Sequence, residues 1–266
     1  MTQQIQYKEQ VDQSVQELNK YLVQYWFAAL MLAASELILA LNSTAGIVLH
    51  FICFGALVLT SYKTNKDSKR ILYLSYTLVP LIRIYSLAMP ISELPLTYWY
   101  IIISVPLLLS AFMTVRIISF TPQKVGLTTK KLYLQLLIGI IGVPLGWVGS
   151  QLSMEIPAST SFQPQFLWLS AIVLIICTGF TEELVFRGII YQAVLEEMDK
   201  KHAWLITSFL NASLYISNLS LVQVIYVFAL AAIFTAIYNR NQNLIGISLA
   251  HGLVNITLFL IRPVGL

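Results

Sequence analysis

Two adjacent glutamates and an arginine stand inside an apolar run, CTGFTEELVFRGII, at residues 177–190. A charge within a bilayer is expensive, so ionisable residues in a span mark pathways or sites. Positions i and i+4 of a helix share a face, and Glu183 and Arg187 can therefore pair within their own helix. Glu182 points about 100° away around the helix and is left without that partner. A lone carboxylate held in such surroundings suits general-base work on a water. The alternative is a purely structural three-charge network.

A second polar cluster lies in LAHGLVN, residues 249–255, where His251 and Asn255 again share a face. A neutral imidazole can hold a metal or a water, and a neighbouring amide can stabilise an oxyanion. A His–Asn pair alone is more often a packing hydrogen bond. Depth strengthens the catalytic reading. Counted from the cytoplasmic ends of their spans, Glu182 and His251 both lie roughly 12 Å inside at 1.5 Å per residue.

The elements that must carry these groups are membrane helices. Hydrophobic residues make up 58% of the chain and charged residues 11%, with a mean hydropathy of +0.76. Soluble domains carry about a quarter charged residues. Apolar blocks long enough to cross about 30 Å as helices recur along the whole sequence. The expected fold is an all-α, polytopic integral membrane bundle of about eight to nine spans. They fall near 24–41, 44–62, 71–89, 97–118, 131–150, 165–190, 203–217, 221–238 and 244–261. Residues 1–23 read as a cytoplasmic amphipathic segment, with Val11, Val15, Leu18 and Leu22 at helical spacing, or else as a solvated tail. No cleavable signal peptide is expected.

Loop charge orients this map. Lys8 and Lys20, then Lys63, Lys66, Lys69 and Arg70, then Lys124, Lys130 and Lys131, then Lys200 and Lys201, and finally Arg240 fall in alternate loops. The intervening loops carry acids such as Glu93 and Glu155, and only Arg262 follows the last span. The positive-inside rule then places the N-terminus in the cytoplasm and the C-terminus outside. The net charge of +4 is dispersed in short loops, a pattern that signals topology and implies no nucleic-acid partner. Cys53 and Cys177 lie in apolar runs without metal spacing. Glu36, His50 and Arg83 read as interhelical hydrogen bonding, and Arg116 as a snorkelling side chain.

The sequence EELVFRG at Glu182 to Gly188 resembles the Glu-Glu-x-x-x-Arg motif of the CPBP group, and HGLVN resembles its last motif, His-x-x-x-Asn. That group comprises the CAAX prenyl-protein endopeptidases and the Abi-type, bacteriocin-processing membrane proteins. The resemblance covers residues 165–261. It implies a CPBP-type domain at 151–266, behind motif-free transmembrane helices at 24–150. It further implies a Glu-dependent intramembrane endopeptidase, usually described as a metalloprotease, acting on a membrane-associated or lipid-tethered polypeptide in a bacterial plasma membrane. Carried over, Glu182 activates the water, Glu183 and Arg187 hold the helix, and His251 and Asn255 complete the site. Zinc is the implied cofactor, with His251 and Glu182 as its candidate ligands.

The group's middle motif, Phe-x-x-x-His, has its nearest match in LYISN, which puts Asn218 where the histidine stands. Asn211 shares a face with Asn218 and lies level with Glu182. An amide is a poor metal ligand beside an imidazole, so the site works through water or has lost proteolysis. The runner-up is therefore a catalytically degenerate Abi-like scaffold, immunity or regulatory protein. A transporter would need a repeat or broken-helix pattern. Neither a His-Glu-x-x-His helix nor a rhomboid-type serine site is present.

Overall fold

In the computed structural model, residues 2–87, 95–152 and 167–261 are described. Helices α1 (Thr2–Leu41) and α2 (Ser43–Lys63) form a hairpin turned by Asn42, whose side chain accepts the Ala45 N–H. Then come α3 (Asp67–Tyr76), α4 (Leu78–Leu87), α5 (Leu96–Ile117), α6 (Leu132–Ile140) and α7 (Gly142–Gln151). A 29-residue rod follows, Leu167–Leu195. It is made of α8 (Leu167–Val173), α9 (Thr181–Glu183) and α10 (Gln192–Leu195), joined by π-helical turns at Leu174–Phe180 and Leu184–Tyr191. Helix α11 (Lys200–Ser213), a 3₁₀ turn at Ile216–Asn218, α12 (Leu221–Asn241) and α13 (Leu244–Ile256) complete the bundle, and α13 runs into a last π-turn at Thr257–Ile261. No strand occurs among the described residues.

Seven of these helical stretches are long and apolar enough to cross a membrane. The other two segments expected as spans are a broken helix, α3–α4, and the 14-residue α11. Both internal breaks have a covalent cause. Pro80 has no N–H for the Tyr76 carbonyl, and the chain breaks at Thr77; Pro144 does the same to Ile140, and the break comes at Ile141. The segment before the first span is continuous with it, one helix from Thr2 to Leu41.

Basic loops meet at one end of the bundle. Lys66 Nζ lies 2.7 Å from Glu197 Oε1, Lys124 pairs with Glu196, and Asn243 Nδ2 donates to the Lys130 carbonyl at 3.0 Å. The loop after α2, the loop after α5, the end of the rod and the α12–α13 turn thus share a face, as alternating charge requires. Burial alone would raise the Glu197 carboxyl, but hydrogen bonds from Lys66, Ser68 and Tyr25 bring it below the usual carboxylate range. The acidic markers Glu93 and Glu155, and Arg262, lie outside the described residues.

The rod and α13 form the centre. Over half of each most apolar window is buried, 56%, against 22% for α2 and for α5. Outward-facing Phe51, Ile52, Leu109, Met113, Leu136 and Ile140 present an apolar coat suited to lipid. Close approach of the two central helices rests on small residues. A Cβ built on Gly179 would stand 2.4 Å from the Ser248 carbonyl oxygen, and one on Gly252 would stand 2.7 Å from the Ile175 backbone.

Gly179→Ala is therefore expected to push α13 off the rod, costing about 1–3 kcal/mol as overpacking does. Gly55→Ala, whose Cβ meets nothing within 4 Å, is the matched control. Thermal unfolding in detergent, followed by size-exclusion chromatography, reads both. Equal melting temperatures for the two variants would show that the contact at Gly179 carries no load.

Candidate functional site

Glu183 is fully buried and sits at the junction of α9 with the second π-turn. Its Oε1 accepts from Arg187 Nη1 at 3.0 Å, the pair expected from i,i+4 spacing. The same oxygen lies 2.8 Å from His251 Nδ1. An ionised carboxylate only accepts, so the shared proton belongs on Nδ1 and the imidazole presents Nε2 outward. Arg187, also fully buried, donates Nη2 to the Ala231 carbonyl at 3.0 Å and Nε to Thr235 Oγ1 at 3.2 Å. Rod, α12 and α13 are thereby locked together around one carboxylate.

Glu182 faces the other way. Its side chain keeps 24% exposure, and its Oε2 stands 4.0 Å from His251 Nε2. Phe234 packs its ring 6.0 Å from the His251 ring, centre to centre, and limits its tilt. Asn255 donates Nδ2 to Thr178 Oγ1 at 2.8 Å, and Thr178 in turn donates to the Leu174 carbonyl. One amide N–H of Asn255 is thus spent on the rod.

These groups line a cavity of about 330 Å³. Glu182, Glu183, His251 and Asn255 line it together with the aromatic side chains of Trp99, Tyr100, Tyr215, Tyr226 and Phe259. All five motif residues except Arg187, which acts from behind Glu183, border this space. The two distant motifs do converge.

The two asparagines of the middle segment sit at different levels, as span counting expects. Asn218 lies exposed in the 3₁₀ turn at the cavity wall, where its Nδ2 donates to Gln223 Oε1 at 2.9 Å. Asn211, buried on α11, lies beside the Glu182 carboxylate on the same cavity. The cause is length: α11 ends at Ser213, so Asn218 lies beyond the helix while Asn211, two turns back, reaches the level of Glu182. The level of Asn211 was readable from span counting; its contact was not.

The donor set fits zinc poorly. Catalytic zinc sites normally use three protein ligands. Here one imidazole nitrogen and one carboxylate face each other, flanked by amides, and no group of three His, Cys, Asp or Glu able to hold a metal occurs among the described residues.

Residues 164–257 match the family model described as Type II CAAX prenyl endopeptidase Rce1-like. Over this segment the chain is similar to the CAAX-protease family. The match runs from before the rod into the last π-turn and includes every motif residue, while α1–α7 lie outside it. No curated protein and no solved structure matches the chain.

Two outcomes follow from the geometry. Glu183→Gln removes the charge that balances Arg187, and breaking a buried pair costs about 3–5 kcal/mol; folded yield should fall sharply, whereas Glu182→Gln should leave it nearly intact. The reverse ranking in detergent-extracted yield would overturn this division of roles. For metal, elemental analysis should find less than one zinc per purified chain. Asn211→His should raise zinc retention, and Asn218→His should not. A full equivalent of zinc in the unaltered protein would show that the amide-flanked donor set suffices.

Proposed function

We propose that the chain is an intramembrane endopeptidase that cleaves a membrane-associated polypeptide with a water activated by Glu182. The observation that carries this reading is the 4.0 Å gap between Glu182 Oε2 and His251 Nε2 on the wall of a cavity inside the bundle. A water can stand about 2.8 Å from both atoms, an ordinary hydrogen-bond distance. Glu183 holds Nδ1–H and so keeps Nε2 free to orient that water.

In this reading Glu182 takes one proton from the water as its oxygen adds to the scissile carbonyl carbon. The resulting oxyanion meets the second N–H of Asn255, the one not given to Thr178. Collapse of the intermediate breaks the C–N bond, and Glu182 returns the proton to the departing amine. No step passes through a metal. The substrate belongs to the class the family match suggests, a polypeptide tethered in or at the bilayer.

Asn211 beside Glu182 favours a second reading, a catalytically silent relative that serves as a scaffold, immunity or regulatory protein. One experiment separates the two. The full chain in lipid nanodiscs is incubated with a panel of lipid-anchored peptides, and products are read by mass spectrometry. Cleavage that drops by about 10²–10⁴ in Glu182→Gln, the usual worth of a general base, supports the peptidase. Product formation undiminished in Glu182→Gln would overturn Glu182 as the base, and no product from the unaltered chain leaves the silent relative.

A further inference from the structure

The motif-free helices carry a buried charged cluster of their own. Glu36 on α1 and His50 on α2 are both fully buried. Arg83 on α4 donates Nε to both Glu36 oxygens, at 2.7 and 2.9 Å. His50 Nε2 lies 3.5 Å from Glu36 Oε1, and its Nδ1 lies 3.3 Å from Ser35 Oγ. Interhelical hydrogen bonding accounts for this much.

Arg83 reaches further. Its Nη2 donates to the Leu214 carbonyl and, at 3.0 Å, to Ser217 Oγ. Those residues form the turn between α11 and α12, which brings Tyr215 and Asn218 to the cavity wall. Arg83 lines the same cavity, with 19% of its side chain exposed. Tyr215 lies within electrostatic reach of both Arg83 and Glu182, so the arginine and the candidate base belong to one space. Among the described residues Nη1 alone of the three guanidinium nitrogens has no acceptor.

An arginine serving only as a bolt between helices would have its donors satisfied by protein. This one lines the cavity with Nη1 left without a protein acceptor, while Glu36 cancels its charge. A neutralised guanidinium offers directional hydrogen bonding without much net pull on an anion. The complementary group is a neutral oxygen acceptor, and on a peptide that is a main-chain carbonyl.

We propose that Arg83 is a substrate-positioning residue, donating from Nη1 to one main-chain carbonyl of a peptide lying in the cavity. The proposal rests on the reading above in one respect, that the ligand is a peptide. It gives the helices outside the family match a part in choosing how that peptide lies.

The test reads binding without turnover. The full chain with Glu182→Gln, in nanodiscs, is titrated with fluorescent members of the lipid-anchored peptide panel. Adding Arg83→Lys, which keeps a cation beside Glu36 but loses the planar fork, should weaken binding about tenfold, the scale of one good hydrogen bond. A thioamide scan, in which sulfur replaces one carbonyl oxygen at a time, should find a single position that costs the Arg83 protein about tenfold and the Arg83→Lys protein nothing more. Ser217→Ala, which loosens only the turn, should change affinity less than twofold.

Equal thioamide costs in both proteins at every position would overturn the proposal. So would a loss in Ser217→Ala as large as that in Arg83→Lys, since the tether alone would then explain it. If a C-terminal carboxamide in place of the carboxylate is the one change that abolishes the difference, the acceptor is an anion and the neutral-carbonyl assignment is wrong. Peptides that bind but are never cut by the unaltered chain sink the peptidase while leaving this contact standing. No binding by any peptide sinks both.

Discussion

A single buried oxygen, Oε1 of Glu183, holds this bundle's centre together. It takes one hydrogen bond from Arg187 on its own helix and another from His251 on α13. Arg187 then extends the connection to α12 through Ala231 and Thr235. In a water-excluded interior such charge-assisted bonds are strong, and a partner lost leaves an uncompensated charge. The arrangement fixes the histidine's tautomer and its ring plane at once. It also explains why the two adjacent glutamates have unlike surroundings: one completes the lock, which frees the other to face the cavity.

A similar device recurs in the helices outside the family match. Glu36 and Arg83 join α1 to α4 and, through Leu214 and Ser217, to the α11–α12 turn. Two ion pairs therefore bracket the cavity, one behind the candidate base and one at the turn that forms another part of the wall. Aromatic residues of α5, the α11–α12 turn and α12 supply apolar surface along the same space. An interior of this kind pairs a few fixed polar groups with a mostly apolar lining, which is the usual composition of a site for an organic ligand.

Much of this was legible in the residue pattern because bilayers impose simple rules. Hydrophobic length gave the helices, alternating loop charge predicted which loops share a face, and the contacts of Lys66, Lys124 and Lys130 follow that map. The i,i+4 rule correctly paired Glu183 with Arg187 and left Glu182 facing elsewhere. Other features had no sequence rule to announce them. His251 meeting Glu183 depends on how closely α13 approaches the rod, which is set by glycines on both helices. Residue-type matching points to Asn218 in the middle segment, and span counting puts Asn211 level with Glu182, but only the packing of the short α11 shows Asn211 beside that carboxylate. From sequence, Arg83 reads as a packing residue. Its contacts to a turn more than 130 positions away belong to tertiary structure alone.

The π-turns of the central rod bear on what changes this site can absorb. A π-turn accommodates one residue more than an α-turn would, and it behaves as a single-residue insertion in an otherwise regular helix. At Leu174–Phe180 that extra residue lies in the segment bearing Thr178, and the Thr181 hydroxyl bonds five residues back to Ile176 as the wider turn requires. Deleting one residue there would restore α-helical winding and leave the segments before and after in phase, because the wide turn is what absorbs the extra residue. Glu183 and Arg187 would still pair, because both lie beyond the deletion. Thr178, inside the turn, is the residue whose direction the rewinding changes, and with it the hydrogen bond from Asn255. Indel tolerance thus divides the site: the ion pair is a property of local spacing, whereas the tie between the two motifs runs through the turn that holds the supernumerary residue.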